Sequence, residues 1–410
     1  MADDRMDVGN SNLLKRLNRS KILSLILERG TVSRSELIRH SGLNQSTISR
    51  IVDEFIKAGL VHEHSKDESV PMGRKPANLS IKKEGKIIGV IIINPSIVDI
   101  AVCDITGSVL KHVKLQMDKD EPENLLKIYA AKLREILVPF EADLMGVGVT
   151  VPGNVSSETG IVLDDQYLKW HNVEARKIVQ SELDCRVVVE SDAKAGALAQ
   201  LCFAPEARDY SNFVFVLVDY GVWGGIIVKN RLYSGHKNMA GQFGSILVPV
   251  QESENGCCLA SELDNLASET AIVSRYKELS SLTLAEDIDL STRLIVFNGQ
   301  NGDDAAIQSL KEAALYLGKG LAYINNTYAP EKIFVAGKIT QLWDMVFPQI
   351  SEQVDKYSHD CSKPATDLVA PSSLVWASFE GATAMVLQDI FASYKVVYRH
   401  PTWHDWAQWK

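Results

Sequence analysis

Cysteine is scarce in this sequence, and long hydrophobic runs are absent. Six of the 410 residues are cysteines, and the adjacent pair Cys257-Cys258 is too tightly spaced for an ordinary disulfide bridge, which predicts a reducing compartment. No run of about 18 apolar residues occurs, so an ordinary transmembrane helix is excluded. The segment Met1–Asp7 is polar and acidic, unlike a signal or transit peptide, and we therefore expect a cytoplasmic protein.

Positive charge is in the minority overall but not at the N-terminal end. The formal net charge is −9, yet residues 1–85 hold 15 Lys and Arg against 11 Asp and Glu, while the remainder holds 28 against 41. A basic segment on an acidic remainder is typical of an anion-binding module joined to a domain with another task. The length fits two or three domains of about 150 residues each.

The basic segment has the helix pattern of a helix-turn-helix. Apolar residues recur at helical spacing over Asn12–Leu27. Ser33 and Glu36 form a capping box for a short helix over Arg34–His40. A glycine turn then leads into a third helix that begins near Asn44, and this order of elements predicts a DNA-binding module.

The front of the third helix and the loop that follows supply the expected DNA contacts. Asn and Gln bind adenine edges and Arg binds guanine. Leu60–Glu63 and Asn78–Ile81 alternate as two strands of a wing, whose basic tip Gly73–Pro76 suits an A·T-rich minor groove. The alternative is an interaction domain that binds no DNA. The predicted DNA-binding residues are Asn44, Gln45, Ser46, Thr47, Ser49, Arg50, Arg74 and Lys75.

The acidic remainder has an α/β pattern that occurs twice. Three strands, from Lys86–Ile93 onward, precede alternating helices and strands, and Phe213–Asp219 begins the same order again. This predicts the α/β fold class, with the winged helix-turn-helix followed by the two lobes of an actin-like ATPase and sugar-kinase fold. The predicted parts are the winged helix-turn-helix (1–84), lobe 1 (85–197), lobe 2 (198–375), and a C-terminal helix with its tail (376–410).

Six segments of the chain resemble the ROK family of sugar kinases and sugar-responsive repressors. They match in order and spacing, and the resemblance extends over nearly the whole chain, including the N-terminal reader of the repressor branch. The group that contains the N-acetylglucosamine and Mlc repressors is the most similar. The resemblance implies a transcriptional regulator of carbohydrate metabolism genes, most simply a repressor. The segments are Val149–Gly153, Glu190–Ala193, Gly221–Gly225, Ala240–Ser245, Ala267-Ser268 and Pro330–Gly337.

The first nucleotide-binding hairpin of ROK kinases is altered here. The family pattern, which resembles Asp-x-Gly-x-Thr, organises Mg²⁺ and lets the backbone approach phosphate closely. Ile91, Ile93 and Pro95 stand in those places. Two isoleucines and a proline supply neither a metal ligand nor a flexible backbone, so we expect no Mg-ATP at this hairpin.

The other nucleotide-binding turns of ROK kinases are altered as well. Tyr220 replaces a threonine and Trp223 a glycine of the second phosphate turn, and Lys338 replaces a glycine of the nucleoside turn. Asp192 matches the general base of the family, but it can equally serve as a helix N-cap or a ligand contact. We therefore predict no enzyme activity and no catalytic residue. The alternative is an active sugar kinase with a DNA-binding head.

The resemblance also implies a zinc site, built from one His and three Cys in most ROK proteins. A gapless placement puts Ser245 at the histidine, and Asn255, Cys257 and Glu262 at the cysteines. Structural zinc requires four nitrogen or sulfur ligands in a tetrahedron, and one thiolate remains. We predict no structural metal and no cofactor.

Polar residues occupy the places of the family's sugar ligands. The catalytic Asp of the family is kept, and each substituted neighbour can still form hydrogen bonds, so the pocket is altered without becoming apolar. We predict a small-molecule effector, either a sugar or a phosphosugar; a non-sugar ligand, or a ligand-blind body used for dimerisation or for docking another protein, stays open. The predicted ligand-binding residues are Asn154, Ser191, Asp192, Gln242, Ser245 and Asp264.

Two further features bear on assembly. Helix-turn-helix proteins usually bind two half-sites as dimers, so a homodimer or homotetramer on a palindromic operator in double-stranded DNA is expected.

The C-terminal tail carries Trp403, Trp406 and Trp409 at a spacing of three. A helix would place them in one aromatic stripe, which we expect to dock on the protein's own body, with a subunit or partner contact as the alternative.

Overall fold

The chain is built from two compact units. A computed structural model describes residues 18–19, 21–23, 25–26, 29–64, 78–82, 85–140, 143–207, 209–252, 258–280, 284–358, 367–370 and 376–391. The division falls between Ile81 and Lys82, and again between Val386 and Leu387. Across these described ranges, no helix has the length and hydropathy needed to cross a membrane.

The first unit is a winged helix-turn-helix, as predicted. Helical residues between 18 and 29 precede its first strand. The three strands form an antiparallel sheet in the order β1-β3-β2, with β2 and β3 as the flanks of the wing. The elements are β1 (Thr31–Ser33), α1 (Arg34–Ser41), α2 (Gln45–Lys57), β2 (Val61–His64) and β3 (Asn78–Ile81).

Local sequence signals fix the ends of α1 and α2. Ser33 N donates to Glu36 Oε2 at 2.8 Å and Glu36 N donates to Ser33 Oγ at 3.3 Å, which is the predicted capping box. Gly42, with φ of 68°, ends α1 in the left-handed conformation that glycine adopts without strain. Asn44 then caps α2 by accepting a hydrogen bond from Thr47 N at 2.9 Å.

The first lobe of the second unit is a mixed five-stranded sheet covered by helices. Its strand order is β11-β7-β4-β5-β6, in which β11, β7 and β4 are parallel, and a small antiparallel ribbon of β8, β9 and β10 projects from it. The elements are β4 (Lys86–Ile93), β5 (Ile97–Asp104), β6 (Val109–Gln116), α3 (Pro122–Leu137), β7 (Asp143–Val151), β8 (Asn154–Ser156), β9 (Ile161–Asp165), β10 (Trp170–Val173), α4 (Ala175–Leu183), β11 (Val187–Ser191) and α5 (Asp192–Phe203).

The second lobe repeats this architecture with the strand order β14-β13-β12-β17-β18, and a separate hairpin of β15 and β16 lies outside its sheet. The elements are β12 (Phe213–Val218), β13 (Val222–Ile227), β14 (Leu232–Tyr233), β15 (Leu247–Glu252), β16 (Cys258–Glu262), α6 (Asp264–Ala267), α7 (Glu269–Leu279), α8 (Ile288–Gln300), α9 (Asp304–Tyr328), β17 (Lys332–Gly337), α10 (Trp343–Tyr357) and β18 (Asp367–Val369). The helix that follows, α11 (Trp376–Phe391), returns to the first lobe, where Ala382 lies against Gly148 and Phe379 against His112.

Each lobe has its own apolar core, and the parallel strands direct polar residues to one edge. The β-branched run of β4 packs with β7 and α3 in the first lobe, and β12, β17 and α9 enclose the core of the second. In open α/β sheets, ligands bind beyond the carboxyl ends of the parallel strands. Asn154, Asp192, Asp219 and Lys338 follow β7, β11, β12 and β17 at these ends.

Candidate DNA-binding surface and ligand-binding cleft

Helix α2 presents a polar front and buries its opposite face. Ile48, Ile51, Val52 and Phe55 are buried on the inner side. The predicted base-reading residues lie on the front. Asn44, Gln45, Ser46 and Arg50 are exposed, and Thr47 and Ser49 are partly exposed.

One of these predicted DNA contacts also has a structural task. Asn44 Oδ1 accepts hydrogen bonds from Thr47 N and from Ser46 Oγ, both at 2.9 Å. The capping geometry therefore occupies the amide oxygen of Asn44 and leaves its Nδ2 donors for a partner. Arg74 and Lys75, the predicted wing contacts, lie outside the described residues.

The two lobes meet through side-chain amides at the cleft. Gln242 Nε2 donates to Asn154 Oδ1 at 2.7 Å, so two predicted ligand-binding residues from different lobes are in direct contact. Asn238 Nδ2 donates to Val155 O at 2.6 Å and to Glu190 Oε1 at 3.0 Å. These bonds join the second lobe to strand β8 and to the end of β11, and they define the floor of the cleft.

Glu190 and Ser191 lie beneath this floor. Glu190 is 4% exposed, and its carboxylate accepts from Ser157 Oγ at 2.6 Å and from Ser191 N at 2.9 Å. Ser191 is the N-cap residue of α5, but its side chain forms no capping bond. The structure therefore places the predicted ligand residue Ser191 in a buried position.

Asp192 lies at the first position of α5 and is only partly exposed. Its Oδ1 accepts a hydrogen bond from Ala193 N at 2.6 Å. Burial, together with the negative charges of Asp219 and Asp165, raises the pKa of Asp192 to about 8. Of the predicted ligand residues, Asn154 and Gln242 are the pair that the structure joins directly, while Asp192 begins the helix that follows β11.

Asp264 and Ser245 have different surroundings. Asp264 Oδ1 accepts from Val222 N at 2.6 Å, and burial raises the pKa of this carboxyl. The side chain thus holds the turn that precedes β13. Ser245 lies on an exposed turn.

Three buried polar residues around the cleft floor were not predicted from the sequence: Asp165, Glu190 and Asn238. For Asp165, the acidic pair Asp164-Asp165 at the end of an apolar strand was a signal that could have indicated it.

An ion-pair network occupies the turn after β17. Lys338 Nζ lies 2.8 Å from Glu269 Oε2, 2.9 Å from Asp289 Oδ1 and 3.5 Å from Asp219 Oδ1. Burial alone would lower the pKa of Lys338, but the three carboxylates together raise it. The ammonium is therefore charged and enclosed by acidic groups of its own chain.

Aromatic side chains fill the neighbouring turn. The Tyr220 hydroxyl lies 2.8 Å from Ser96 Oγ of the first lobe, and its ring centroid lies 5.5 Å from that of Tyr167. Trp223 follows in β13, with its Nε1 buried and without a hydrogen-bond partner among the described residues. The turn is thus packed with rings in the place where the resemblance puts phosphate.

In the described part of the chain, the residues at the family's zinc-ligand positions do not form the set of one His and three Cys. Glu262 is exposed in β16, opposite Leu247, and no group of three or more potential metal ligands occurs among the described residues. Asn255 and Cys257 lie outside those residues. Serine, asparagine and glutamate do not replace histidine and thiolates at a structural zinc, and the absence of zinc stays a prediction.

A winged helix-turn-helix joined to a two-lobed, sugar-kinase-like body defines the class of this protein. Its sequence matches the model of the ROK family over residues 96–389 and the model of a winged helix-turn-helix DNA-binding domain over residues 16–62. The chain belongs to the ROK family.

Similar proteins share this arrangement over nearly the whole chain. A xylose repressor of Caldicellulosiruptor bescii is 28% identical over 397 residues, which cover 94% of this chain and 99% of that protein. The N-acetylglucosamine repressor of Escherichia coli O157:H7 is 23% identical over 386 residues, which cover 92% and 94%.

Solved structures share the fold. A ROK family transcriptional regulator, a homologue of the E. coli Mlc protein, superposes with a TM-score of 0.76 at 24% identity and covers 93% of this chain and 97% of that one. A ROK family glucokinase from Streptomyces griseus gives a TM-score of 0.64 at 23% identity, covering 74% of this chain and 99% of that one. The glucokinase likeness shows the fold of the body alone.

Proposed function

We propose that this protein is a transcriptional repressor of carbohydrate metabolism genes whose ROK body senses a sugar. The observation that carries the proposal is the geometry of α2, whose polar front is exposed while its apolar face is fully buried. This is the arrangement with which a recognition helix enters the major groove. The relatives named as repressors support the same function.

The body is proposed to bind a ligand without phosphorylating it. Phosphoryl transfer requires positioned Mg²⁺ and backbone donors that hold the phosphates. Here Val222 N is bound by Asp264, and the Lys338 ammonium is enclosed by Glu269 and Asp289. A nucleoside triphosphate would have to displace these carboxylates from their partners. Because its phosphates are also negatively charged, we expect it to be excluded from this turn.

The effector is proposed to be a sugar that binds at Asn154, Asp192 and Gln242. These side chains offer amide and carboxyl groups at the contact between lobes, where sugar hydroxyls can form several hydrogen bonds. The relatives named as xylose repressors make D-xylose the first probe. Ser191, Ser245 and Asp264 remain proposed ligand contacts. A ligand would reach them only after their side chains move or the two lobes separate.

The proposed signal passes from the cleft to the DNA-binding units of a homodimer. A ligand that favours one arrangement of the lobes changes the spacing of the two DNA-binding units in the dimer. The dimer then binds its palindromic operator with lower affinity. Couplings of about 1–3 kcal/mol, or roughly 5–150-fold in affinity, are typical of such linkage.

Operator selection tests the DNA-binding part. The full chain is incubated with sheared DNA from its source at about 0.15 M salt, where non-specific phosphate contacts are weak, and the retained fragments are sequenced. We expect one or a few palindromes. Uniform recovery across the DNA would contradict specific reading and favour the interaction-domain alternative.

A matched pair of variants then tests the reading surface. Arg50→Ala and Lys57→Ala each remove one exposed positive charge from α2, at the front and at the C-terminal end. We expect Arg50→Ala to weaken binding to the selected operator about 10- to 100-fold and to relax base preference, as a lost base contact does. Equal losses for both variants would show that α2 contributes only charge.

Thermal shift with D-xylose separates a sensor from a ligand-blind regulator. We expect a raised unfolding temperature, and we expect Asp192→Ala to abolish the shift. ATP hydrolysis that depends on sugar and disappears in Asp192→Asn would instead establish the kinase alternative.

A further inference from the structure

Two backbone donors at the N-terminal end of α5 are already occupied by the protein's own carboxylates. Ser191 N donates to Glu190 Oε1 at 2.9 Å, and Ala193 N donates to Asp192 Oδ1 at 2.6 Å. Both N–H groups stand at the N-terminal end of α5, where a helix ordinarily attracts phosphate through its unpaired donors and its dipole. An anionic ligand would therefore have to compete with two carboxyl groups for this end of the helix.

Asp165 adds a buried charge beneath the same floor. Its side chain is 1% exposed, and Oδ1 accepts from Tyr167 N and Leu168 N at 2.8 Å. Oδ2 has no hydrogen-bond partner within the part of the chain that the structure describes. This oxygen faces Gly153, where an added Cβ would lie 3.1 Å away, and Gly153 precedes the cleft residue Asn154. Although burial raises the pKa of Asp165 to about 6, the carboxyl is ionised at neutral pH.

The cation at this end of α5, Lys194, keeps its positive charge but is buried and already bonded within the protein. Lys194 is 4% exposed, and its ammonium donates to the carbonyl oxygen of Asn238. Asn154 and Gln242 are bonded to each other, through Gln242 Nε2 and Asn154 Oδ1. Proteins hold phosphate groups with such cations or with unpaired N–H donors. Of the described groups at this end of α5, the N–H groups of Ser191 and Ala193 are taken and Lys194 is buried, whereas the carboxyl and amide oxygens are suited to accept bonds from hydroxyl groups.

We propose that the cleft selects an unphosphorylated, hydroxyl-rich ligand and rejects sugar phosphates, with Asp165 as a specificity-determining residue that acts through its charge. This inference rests on the proposed sugar-sensing function and narrows its ligand class. Asp165 need not touch the ligand, because like charges repel over several ångströms when little water lies between them. A sugar phosphate brings negative charge close to the buried Asp165 carboxylate, whereas a free sugar brings none.

The test compares free sugars with their phosphate esters on the full chain by isothermal titration calorimetry. The probes are D-xylose with D-xylose 5-phosphate, D-glucose with D-glucose 6-phosphate, and N-acetylglucosamine with N-acetylglucosamine 6-phosphate. We expect at least one free sugar to bind, and to bind more tightly than its ester by about 30-fold or more at low salt, where charge repulsion is least screened.

Two neighbouring aspartates provide a matched pair of variants. Asp165→Asn keeps an oxygen for the two backbone donors and removes the buried charge. Asp164→Asn removes the same charge from a side chain that is 60% exposed and paired with His171 at 2.6 Å. The preference is the ratio of the dissociation constants of the ester and the free sugar. We expect Asp165→Asn to lower this ratio about tenfold. Asp164→Asn should change it by less than about twofold, because exposed charges are screened by solvent.

Each outcome separates the inference from the function on which it rests. An ester that binds more tightly than its free sugar, or equal shifts in the two variants, would overturn phosphate rejection through Asp165 and leave the sugar sensor intact. Binding of neither series, with operator binding intact, would overturn the sugar-sensing function and the inference with it. If Asp165→Asn fails to fold, the comparison of sugars and esters on the unaltered protein decides.

Discussion

Ser96 and Tyr220 join the two lobes directly across the cleft, with their hydroxyl oxygens 2.8 Å apart. Ser96 lies in the turn between β4 and β5, and Tyr220 lies in the equivalent turn between β12 and β13. Thr270 Oγ1 fixes the second turn by donating to Tyr220 O at 3.0 Å. The two turns that hold phosphate in a kinase of this fold therefore contact each other here.

This contact can be measured as a coupling energy. Tyr220→Phe removes the hydroxyl but keeps the ring against Tyr167, and we expect it to lower the free energy of unfolding by about 0.5–1.5 kcal/mol. Because Ser96→Ala removes the other partner, the double variant should destabilise less than the sum of the single variants in urea unfolding. Strict additivity would mean that the two hydroxyls contribute nothing to each other.

Lys338 should be a strong determinant of stability. Lys338→Met leaves Glu269, Asp289 and Asp219 without their shared cation, and breaking a buried ion pair from one side typically costs about 3–5 kcal/mol. The exposed Lys311→Met is the control, for which a change within about 0.5 kcal/mol is expected. Chemical denaturation measures both, and similar values for the two variants would contradict the buried network.

Asp192 should make stability fall as pH rises. Its pKa is about 8 in the folded protein and near 3.8 when unfolded, so the folded state binds the extra proton between these values. The contribution of this proton to the free energy of unfolding is fully present below about pH 4 and is lost as the pH rises through 8.

The corresponding variant is Asp192→Asn, which cannot titrate. We expect the unaltered protein to lose at least about 1 kcal/mol more than this variant between pH 6 and 8. Thermal unfolding across this range measures the difference. The exposed Asp164→Asn should follow the unaltered protein, and identical pH profiles for all three proteins would contradict the raised pKa of Asp192.

The capping box of α1 should stabilise the DNA-binding unit. Ser33→Ala removes the acceptor of Glu36 N and the donor that lies 2.7 Å from Glu36 Oε2. We expect a loss of about 1 kcal/mol, as for other N-cap serines. Hydrogen exchange of the α1 amides measures it locally, with Lys57→Ala at the exposed end of α2 as the control. Unchanged protection of α1 in Ser33→Ala would mean that the helix does not depend on its cap.

The parts of the fold that sequence predicts well are those with a local signal. The capping box, the glycine turn before Asn44 and the apolar run of β4 place their elements within a residue or two of the observed bounds, because each depends on neighbouring residues. The ribbon of β8, β9 and β10 was missed. Its short strands carry Asp164, Asp165 and other polar residues, and their pairing is decided by contacts between segments.

The candidate site shows the same division. Asn154 and Gln242, two of the predicted ligand residues, contact each other between the lobes, and their role toward a ligand stays a prediction, as does that of Asp192. The bond that Val222 N donates to Asp264 Oδ1 was not predictable, because those residues are far apart in the chain and nothing in either segment specifies the other. Long-range partners of polar side chains determine whether a matched residue faces a ligand or supports the backbone.

The bond between Val222 N and Asp264 also bears on whether substitution could turn this body into a nucleotide-binding one. Replacing Trp223 by glycine alone would open space but leave Val222 N bound by Asp264 and the Lys338 ammonium held by its acidic neighbours. Removing either partner first would strand a charge or a backbone donor in the interior. We therefore expect that no single substitution at Trp223, Asp264 or Lys338 frees this turn for a nucleotide without a loss of stability.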